Sequence, residues 1–563
     1  MKLARPLVML IALLLLLGMS GLAHAFDYDA AASLEKIEAD QSARNISLDE
    51  AALYTAEALM DPAQLPARYH VAGRNLAKES GVAPAAPFCG TPAMLRLHEL
   101  LDQVSPATRE RIEKMLLPGK PRGEADAAKS GLADNPNGVA LPNVYYTDRF
   151  AIRWGDDYNA DMGMIEFWGD ILENEVWATE VVSWDYPNVY LTDQYYIDMY
   201  VGNSGDGAPT IGFSGAYTTI YEGSYQPYIV FYPDLLYSEE VTQEVSAHEF
   251  FHTIQFTLGM TGVNYYIFDY DGTWFVEGSA TWAESIVYPT DSYIYYIYDW
   301  ADNPSQALTG DSGYAPYARV IWTRYLYEKI DGLETLHNIW TSSRGTSCLF
   351  GNAGYLASID KAWDETFFDF AARVLVQDFQ DGDRFPSFDS FRTVSTFPYS
   401  QDSVDASSRP HINSLHNLLV RPGDAASPKL NIRFKGEDIT LSGVEWILAA
   451  IKIPAGGGEP VVELLKPGKG AKSDFTVTGL GTDYDKIYLV VTPLSNTEDN
   501  NNANWDYLLQ MTRGDDPFPA GDDDDTADDD TVGNPDDDNA DDDAFGDDDS
   551  GDDDDDDDSG CGC

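Results

Sequence analysis

The spacing of apolar and polar positions changes several times along this chain of 563 residues, and each change predicts a different kind of element. Residues 26–117 carry helical spacing. Ser47-Leu48-Asp49-Glu50 has the form of a capping box, in which serine and glutamate side chains satisfy each other's backbone donors at a helix start. Thr91-Pro92 and Ser105-Pro106 each place an N-cap residue before a proline at the first helical position. Residues 118–143 are rich in Gly, Pro, Ala and charge, the composition of a linker. Strand-like runs follow at 147–154, 195–202 and 228–232, with a helical stretch at 161–176. Helical spacing then dominates at 317–329 and 356–377. From 396 to 513 the pattern shortens. Apolar runs at 430–434, 444–453, 460–465, 475–480, 487–492 and 505–511, separated by turn residues, predict an all-β sandwich. A sheet, then helices, then a sandwich makes an α+β chain. Its expected units are a helical region (26–117), a linker (118–143), a mixed sheet-and-helix domain (144–395) and an accessory sandwich (396–513).

One helical stretch carries chemistry. His248-Glu249-Phe250-Phe251-His252 puts two imidazoles four residues apart, on one face of a helix, with a carboxylate beside them. Ser238 is a suitable N-cap, Glu239 and Glu240 suit the positive end of the helix dipole, and Gly259 offers a stop. Two imidazoles at this spacing can reach one metal ion, and Glu249 can serve as general base. With only 8 histidines in the chain, the pattern is improbable by chance. A third ligand can come from Glu277, in the run 274–284. The small residues Gly278, Ser279 and Ala280 would let that second helix approach the first closely. Phe250 and Phe251 read as core residues. The strand at 228–232 is expected either as an edge that binds an extended peptide or as an interior strand of the same sheet.

These residues resemble the gluzincin metallopeptidases, which join an H-E-x-x-H helix to a second helix opening with E-G. The resemblance runs through His248, Glu249, His252, Glu277 and Glu284, with a longer interval between the two helices than is usual there. The H-E-x-x-H-x-x-Q form, ending here in Gln255, also looks like a group of secreted bacterial proteins. The resemblance implies a zincin-like domain and a zinc ion held by His248, His252 and Glu277. It implies Glu249 as general base, a donor to the developing oxyanion drawn from Tyr314 or Tyr317, and Glu284 orienting a ligand histidine. A metzincin would have a third histidine at position 258, where this chain has Leu258. A serine hydrolase would need a G-x-S-x-G turn, and Gly278-Ser279-Ala280 is not one.

Charge and cysteine refine the picture. Net charge is −59, and residues 515–563 contain 25 aspartates with no lysine or arginine. Self-repulsion there predicts a disordered spacer over 514–563. Nucleic acid and anionic membrane are poor partners for so acidic a chain. The aspartate runs are candidates for weak Ca2+ binding. Lys2 and Arg5 ahead of an apolar run, then Ala23-His24-Ala25, read as a signal peptide over 1–25, so a secreted or cell-surface protein is expected. No later stretch has the length of a transmembrane span. Ser559-Gly560-Cys561-Gly562-Cys563 resembles cysteine-containing sorting tags of bacterial surface proteins, which implies surface attachment through Cys561 or Cys563. In an oxidising compartment Cys89 and Cys348 form a candidate disulfide. A competing expectation comes from Pro87-Phe88-Cys89-Gly90-Thr91-Pro92, which resembles the cysteine switch of matrix metalloproteinase propeptides, with Phe88 and Ala93 in place of that motif's Arg and Asp. Residues 26–117 would then be a propeptide, with Lys120 and Arg122 as processing points, rather than a permanent helical domain.

The expected function is a zinc-dependent peptidase, most simply an endopeptidase, acting on protein or peptide. The alternative is a non-catalytic acidic surface adhesin that uses the zincin domain as scaffold and the sandwich as binding module.

Overall fold

The computed structural model describes residues 28–72, 88–122, 132–221, 223–259, 272–311, 313–424, 427–469, 472–497, 503–515 and 518. The signal segment, the aspartate runs, Cys561 and Cys563 lie outside them. The fold is α+β. Among the described residues four helices come first, α1 (Ala30–Ser42), α2 (Leu48–Met60), α3 (Thr91–Leu101) and α4 (Pro106–Leu116), with the two-residue strand β1 (Phe88–Cys89) just before α3. Next come β2 (Asn143–Tyr146), β3 (Phe150–Trp154), α5 (Met162–Ile171), β4 (Ile197–Val201), β5 (Gly215–Ile220) and β6 (Pro227–Phe231). A helical series follows: α6 (Glu239–Gly259), α7 (Thr273–Val287), α8 (Ser292–Asp302), α9 (Ala315–Ala318), α10 (Val320–Tyr325), α11 (Gly332–Ser342), α12 (Cys348–Ser358) and α13 (Trp363–Val376).

Strands β1 to β6 form one mixed sheet in the order β1-β5-β6-β4-β3-β2. It is buried on both faces, and the period of two sorts its side chains between two cores. Ile197, Met199, Ile229 and Phe231 join the core shared with α6 and α7. Tyr200, Tyr217, Tyr228 and Val230 join the core shared with α1 to α4. The N-terminal helices are thus packed on the sheet's back face. Phe250 and Phe251, on α6 itself, are wholly buried.

The remaining chain builds two antiparallel-rich sheets from β7 (Arg392–Val394), β8 (Tyr399–Gln401), β9 (Asn417–Val420), β10 (Leu430–Gly436), β11 (Glu445–Pro454), β12 (Val461–Leu465), β13 (Ser473–Val477), β14 (Tyr484–Leu494) and β15 (Tyr507–Arg513). One sheet runs β13-β10-β15-β8, the other β12-β11-β14-β9-β7. Between them lies a core of alternate residues, among them Leu430, Ile432, Leu448, Leu489 and Met511. The opposite face of the second sheet gives Ile447, Ala449, Ile451 and Val490 to the helical core.

Several expectations are corrected. Of the two placements left open for the strand at 228–232, the interior one is observed, between β5 and β4; among the described residues β5 pairs on its outer side only with the short β1. Ser47 and Ser105 cap their helices as expected, but Thr91 does not, and α3 begins after Gly90 with no side-chain cap. In the expected linker, Arg122 is sealed against the sheet by Asp198 Oδ2 at 2.6 Å with its side chain 6% exposed, so it is not an accessible processing point. Cys89 and Cys348 are buried thiols and not a disulfide. Cys89 sits among the site residues, whereas Cys348 starts α12 and faces Gly272. Among the described residues no helix is long and apolar enough to cross a membrane.

Candidate metal centre

Helix α6 runs beneath the sheet and presents His248 and His252 on one face, their rings 4.9 Å apart. Val241 N–H donates to Ser238 Oγ at the start of this helix (3.4 Å). Helix α7 brings Glu277 across both imidazoles. Glu277 Oε2 lies 3.1 Å from His248 Nε2, and Oε1 lies 3.3 Å from His252 Nε2. All three side chains are buried.

The outer nitrogen of each ring is held from behind. His248 Nδ1 faces Glu284 Oε2 at 3.3 Å, so Glu284, one helical face along from Glu277, occupies the orienting position expected of it. His252 Nδ1 lies 2.7 Å from Gln255 Oε1. The Gln255 amide is fixed in turn, because its Nε2 donates to Val276 O (2.9 Å) and Ser279 Oγ (3.1 Å). Its oxygen must therefore accept from His252 Nδ1–H, which leaves the His252 Nε2 lone pair pointing inward. An inward Nε2 with a tethered Nδ1 is how proteins orient imidazole ligands to a metal.

Protonation follows the same geometry. Burial disfavours charge on His248, but Glu277 and Glu284 outweigh it and raise the group to about 10. Burial would raise Glu277, but His252 and His248 overcome it and hold the carboxyl at about 2. An imidazolium–carboxylate cluster of this kind carries protons where a divalent cation would sit.

Glu249 is 1% exposed and turned toward β5. Its Oε2 accepts from the Thr218 hydroxyl (2.7 Å) and from the Thr91 hydroxyl (3.1 Å). Thr91 Oγ1 also accepts from Thr218 N–H at 2.8 Å, so the hydroxyl expected to cap α3 serves this site instead. Neither threonine carries a local sequence signal for that role. Cys89 lies 163 residues before His252, yet its Sγ is 3.4 Å from His252 Nε2. Burial, then the Glu249 and Glu277 carboxylates, push its thiol well above its usual range. Tyr317 accepts from Cys89 N–H (3.0 Å) and stacks on Tyr296 and His248. Tyr314 packs against Tyr296 and Tyr317, one ring further from the histidines. Gly278 makes its close approach to the backbone of Arg319 just before α10, not to α6; a Cβ there would meet Arg319 C at 3.0 Å.

The donors suit a divalent cation. One nitrogen, oxygen or sulfur atom from each of Cys89, His248, Glu249 and His252 falls within a 4.8 Å span. Glu277 stands outside that set, but it alone touches both Nε2 atoms. Its Oε1 is fully buried with no hydrogen-bond partner. An orphaned buried carboxylate oxygen is costly, and a cation between it and the two imidazoles would satisfy it. The buried Cys/His/Glu/His group can therefore hold a metal ion.

The comparisons place this centre in a family. The chain belongs to a family of unknown function (DUF6055), whose model matches residues 192–513. That span contains α6, α7 and Tyr317, and leaves out Cys89 and Thr91. No curated protein matches the chain.

Proposed function

We propose that this protein is a zinc-dependent peptidase whose metal ligands are His248, His252 and Glu277. One observation carries the reading: both Nε2 atoms and the Glu277 carboxylate converge, while both Nδ1 atoms are tethered outward. Nitrogen and carboxylate donors in this ratio suit zinc. A bound zinc would supply Lewis acidity to the scissile carbonyl and to the attacking water. Glu249, held by two threonine hydroxyls, takes the water's proton and delivers it to the leaving amine. The Tyr317 hydroxyl, whose ring stacks beside that of His248, donates to the developing oxyanion. Tyr314 supports the Tyr317 ring. We further propose an exported setting, on the evidence of residues 1–25, with attachment through Cys561 or Cys563 and weak Ca2+ binding by the aspartate runs.

The adhesin reading draws on one observation, the Cys89 thiol 3.4 Å from His252 Nε2, where a fourth protein ligand of a closed, non-catalytic centre would stand. Casein hydrolysis separates the two. Wild type and Cys89→Ala are each compared with their Glu249→Gln counterparts, with metal content measured in all four. About one zinc per chain throughout, activity in a parent, and a loss of about three or more powers of ten on Glu249→Gln support the peptidase. Equal activity with and without Glu249 would remove its role as base. Metal without hydrolysis in either parent would favour the binding protein.

A further inference from the structure

The segment at 88–91 adds to β5 in parallel and lies against the site residues His252, Glu249 and Tyr317. We propose that it is a built-in inhibitor: Cys89 closes the metal's open position, Thr91 engages the catalytic base, and the latent chain becomes active only when this segment is withdrawn. The proposal rests on the zinc-peptidase reading and adds the regulation of that site.

Six contacts carry it. Strand β1 adds to the outer side of β5, with Phe88 beside Gly215 and Cys89 beside Ala216. The period of two then sends Phe88 into the core under the N-terminal helices and Cys89 into the core on the metal side. The Cys89 thiol meets His252 Nε2, the inward nitrogen, at 3.4 Å, and Thr91 N–H donates to Sγ at 3.4 Å. Tyr317 grips the peptide of Cys89 from both sides, accepting from its N–H at 3.0 Å and donating to its carbonyl at 3.4 Å. Thr91 donates to Glu249 Oε2 at 3.1 Å. The segment thus engages the metal position, the oxyanion donor and the general base together.

The surrounding space agrees. Phe88, Cys89 and Tyr317 border two cavities on the cleft. One of about 130 Å³ is lined also by Leu34, Glu277 and Pro316; the other, of about 30 Å³, by Glu244, His248 and Tyr296. The segment thus forms part of the wall of both cavities. With Cys89 as fourth protein ligand the zinc is closed, the arrangement of structural rather than catalytic centres. On ligation the thiol proton leaves to solvent, and no other reactant is needed.

The contact differs from a tethered disulfide loop in what it predicts. Loading the full chain with cobalt(II) tests it without reference to activity. Wild type should show the sulfur-to-cobalt charge-transfer absorption of a thiolate ligand, and Cys89→Ala should lose it while still binding one metal. Cys89→Ser, nearly isosteric, guards against a folding defect and should lose the band too. In the zinc form, if the thiol occupies the site in about nine molecules of ten, Cys89→Ala should hydrolyse casein about tenfold faster than wild type. A cobalt-loaded wild type with no thiolate band overturns the proposal and leaves the peptidase reading intact. A band in wild type with no hydrolysis either by Cys89→Ala or by Cys89→Ala combined with Thr91→Ala, which frees Glu249 as well, overturns both, because Cys89 is then a structural ligand. No metal uptake by any variant removes the centre itself.

Discussion

Zinc uptake by the metal-free chain should strengthen steeply with pH, because a metal ion and a proton compete for His248. Its two ring nitrogens face Glu284 and Glu277, at 3.3 and 3.1 Å. Both act as donors when no metal is present, and the carboxylates hold the group at about 10. Each proton displaced on binding adds about one power of ten in apparent affinity per pH unit, up to the pKa of the group that releases it. His248 alone should therefore tighten zinc binding about a hundredfold between about pH 7 and pH 9. The same pair also bears on stability. The folded-state value lies above the usual 6.5, so its contribution to the metal-free protein is full below 6.5 and is lost as pH rises through about 10. The assay is competition against a chromophoric chelator, with calorimetry in two buffers to count protons released. Cys89→Ala is the protein to use, since no thiol proton then enters the count. An affinity that does not change across that pH interval would show that His248 carries no exchangeable proton, and the assigned pairing would be wrong.

Three further outcomes follow from the packing and the chemistry. Gln255→Leu strands His252 Nδ1–H in a buried site, and should weaken zinc binding about 10- to 100-fold in chelator competition while the fold persists. Gly278→Ala pushes a methyl against the Arg319 backbone, which cannot swing aside, and should cost about 1–3 kcal/mol in denaturant unfolding. Chelation of the native protein should lower its melting temperature, and the shift should grow with the zinc concentration used for reloading; a melting temperature indifferent to zinc would count against a bound ion in the folded state.

Much of this architecture was legible in the sequence where the signal is local. The apolar runs between 430 and 511 each fall on an observed strand, because alternation and turn residues are properties of neighbouring positions. The capping box at Ser47 and the i, i+4 placement of His248 and His252 are equally local. What escaped was set by tertiary contact. Thr91 has the form of an N-cap, but its hydroxyl has a better use against Glu249, and α3 starts without it. Thr218 reaches Glu249 only because β5 lies over α6. Gln255 was visible as a letter in a motif, while its role appears only once α7 supplies Val276 and Ser279 to fix its amide. The pairing of Cys89 with Cys348 followed from even number and compartment. The fold separates them by giving Cys89 an edge position on the sheet and Cys348 the start of a helix on the far side of α7.

The central claim is that one divalent cation sits between two imidazoles and the Glu277 carboxylate. Anomalous diffraction at the zinc edge from crystals of the full chain tests it directly. The account predicts a single peak about 2.0–2.2 Å from Nε2 of His248, Nε2 of His252 and an oxygen of Glu277. A zinc-replete crystal with no peak between these three side chains, or with its peak elsewhere, would contradict it.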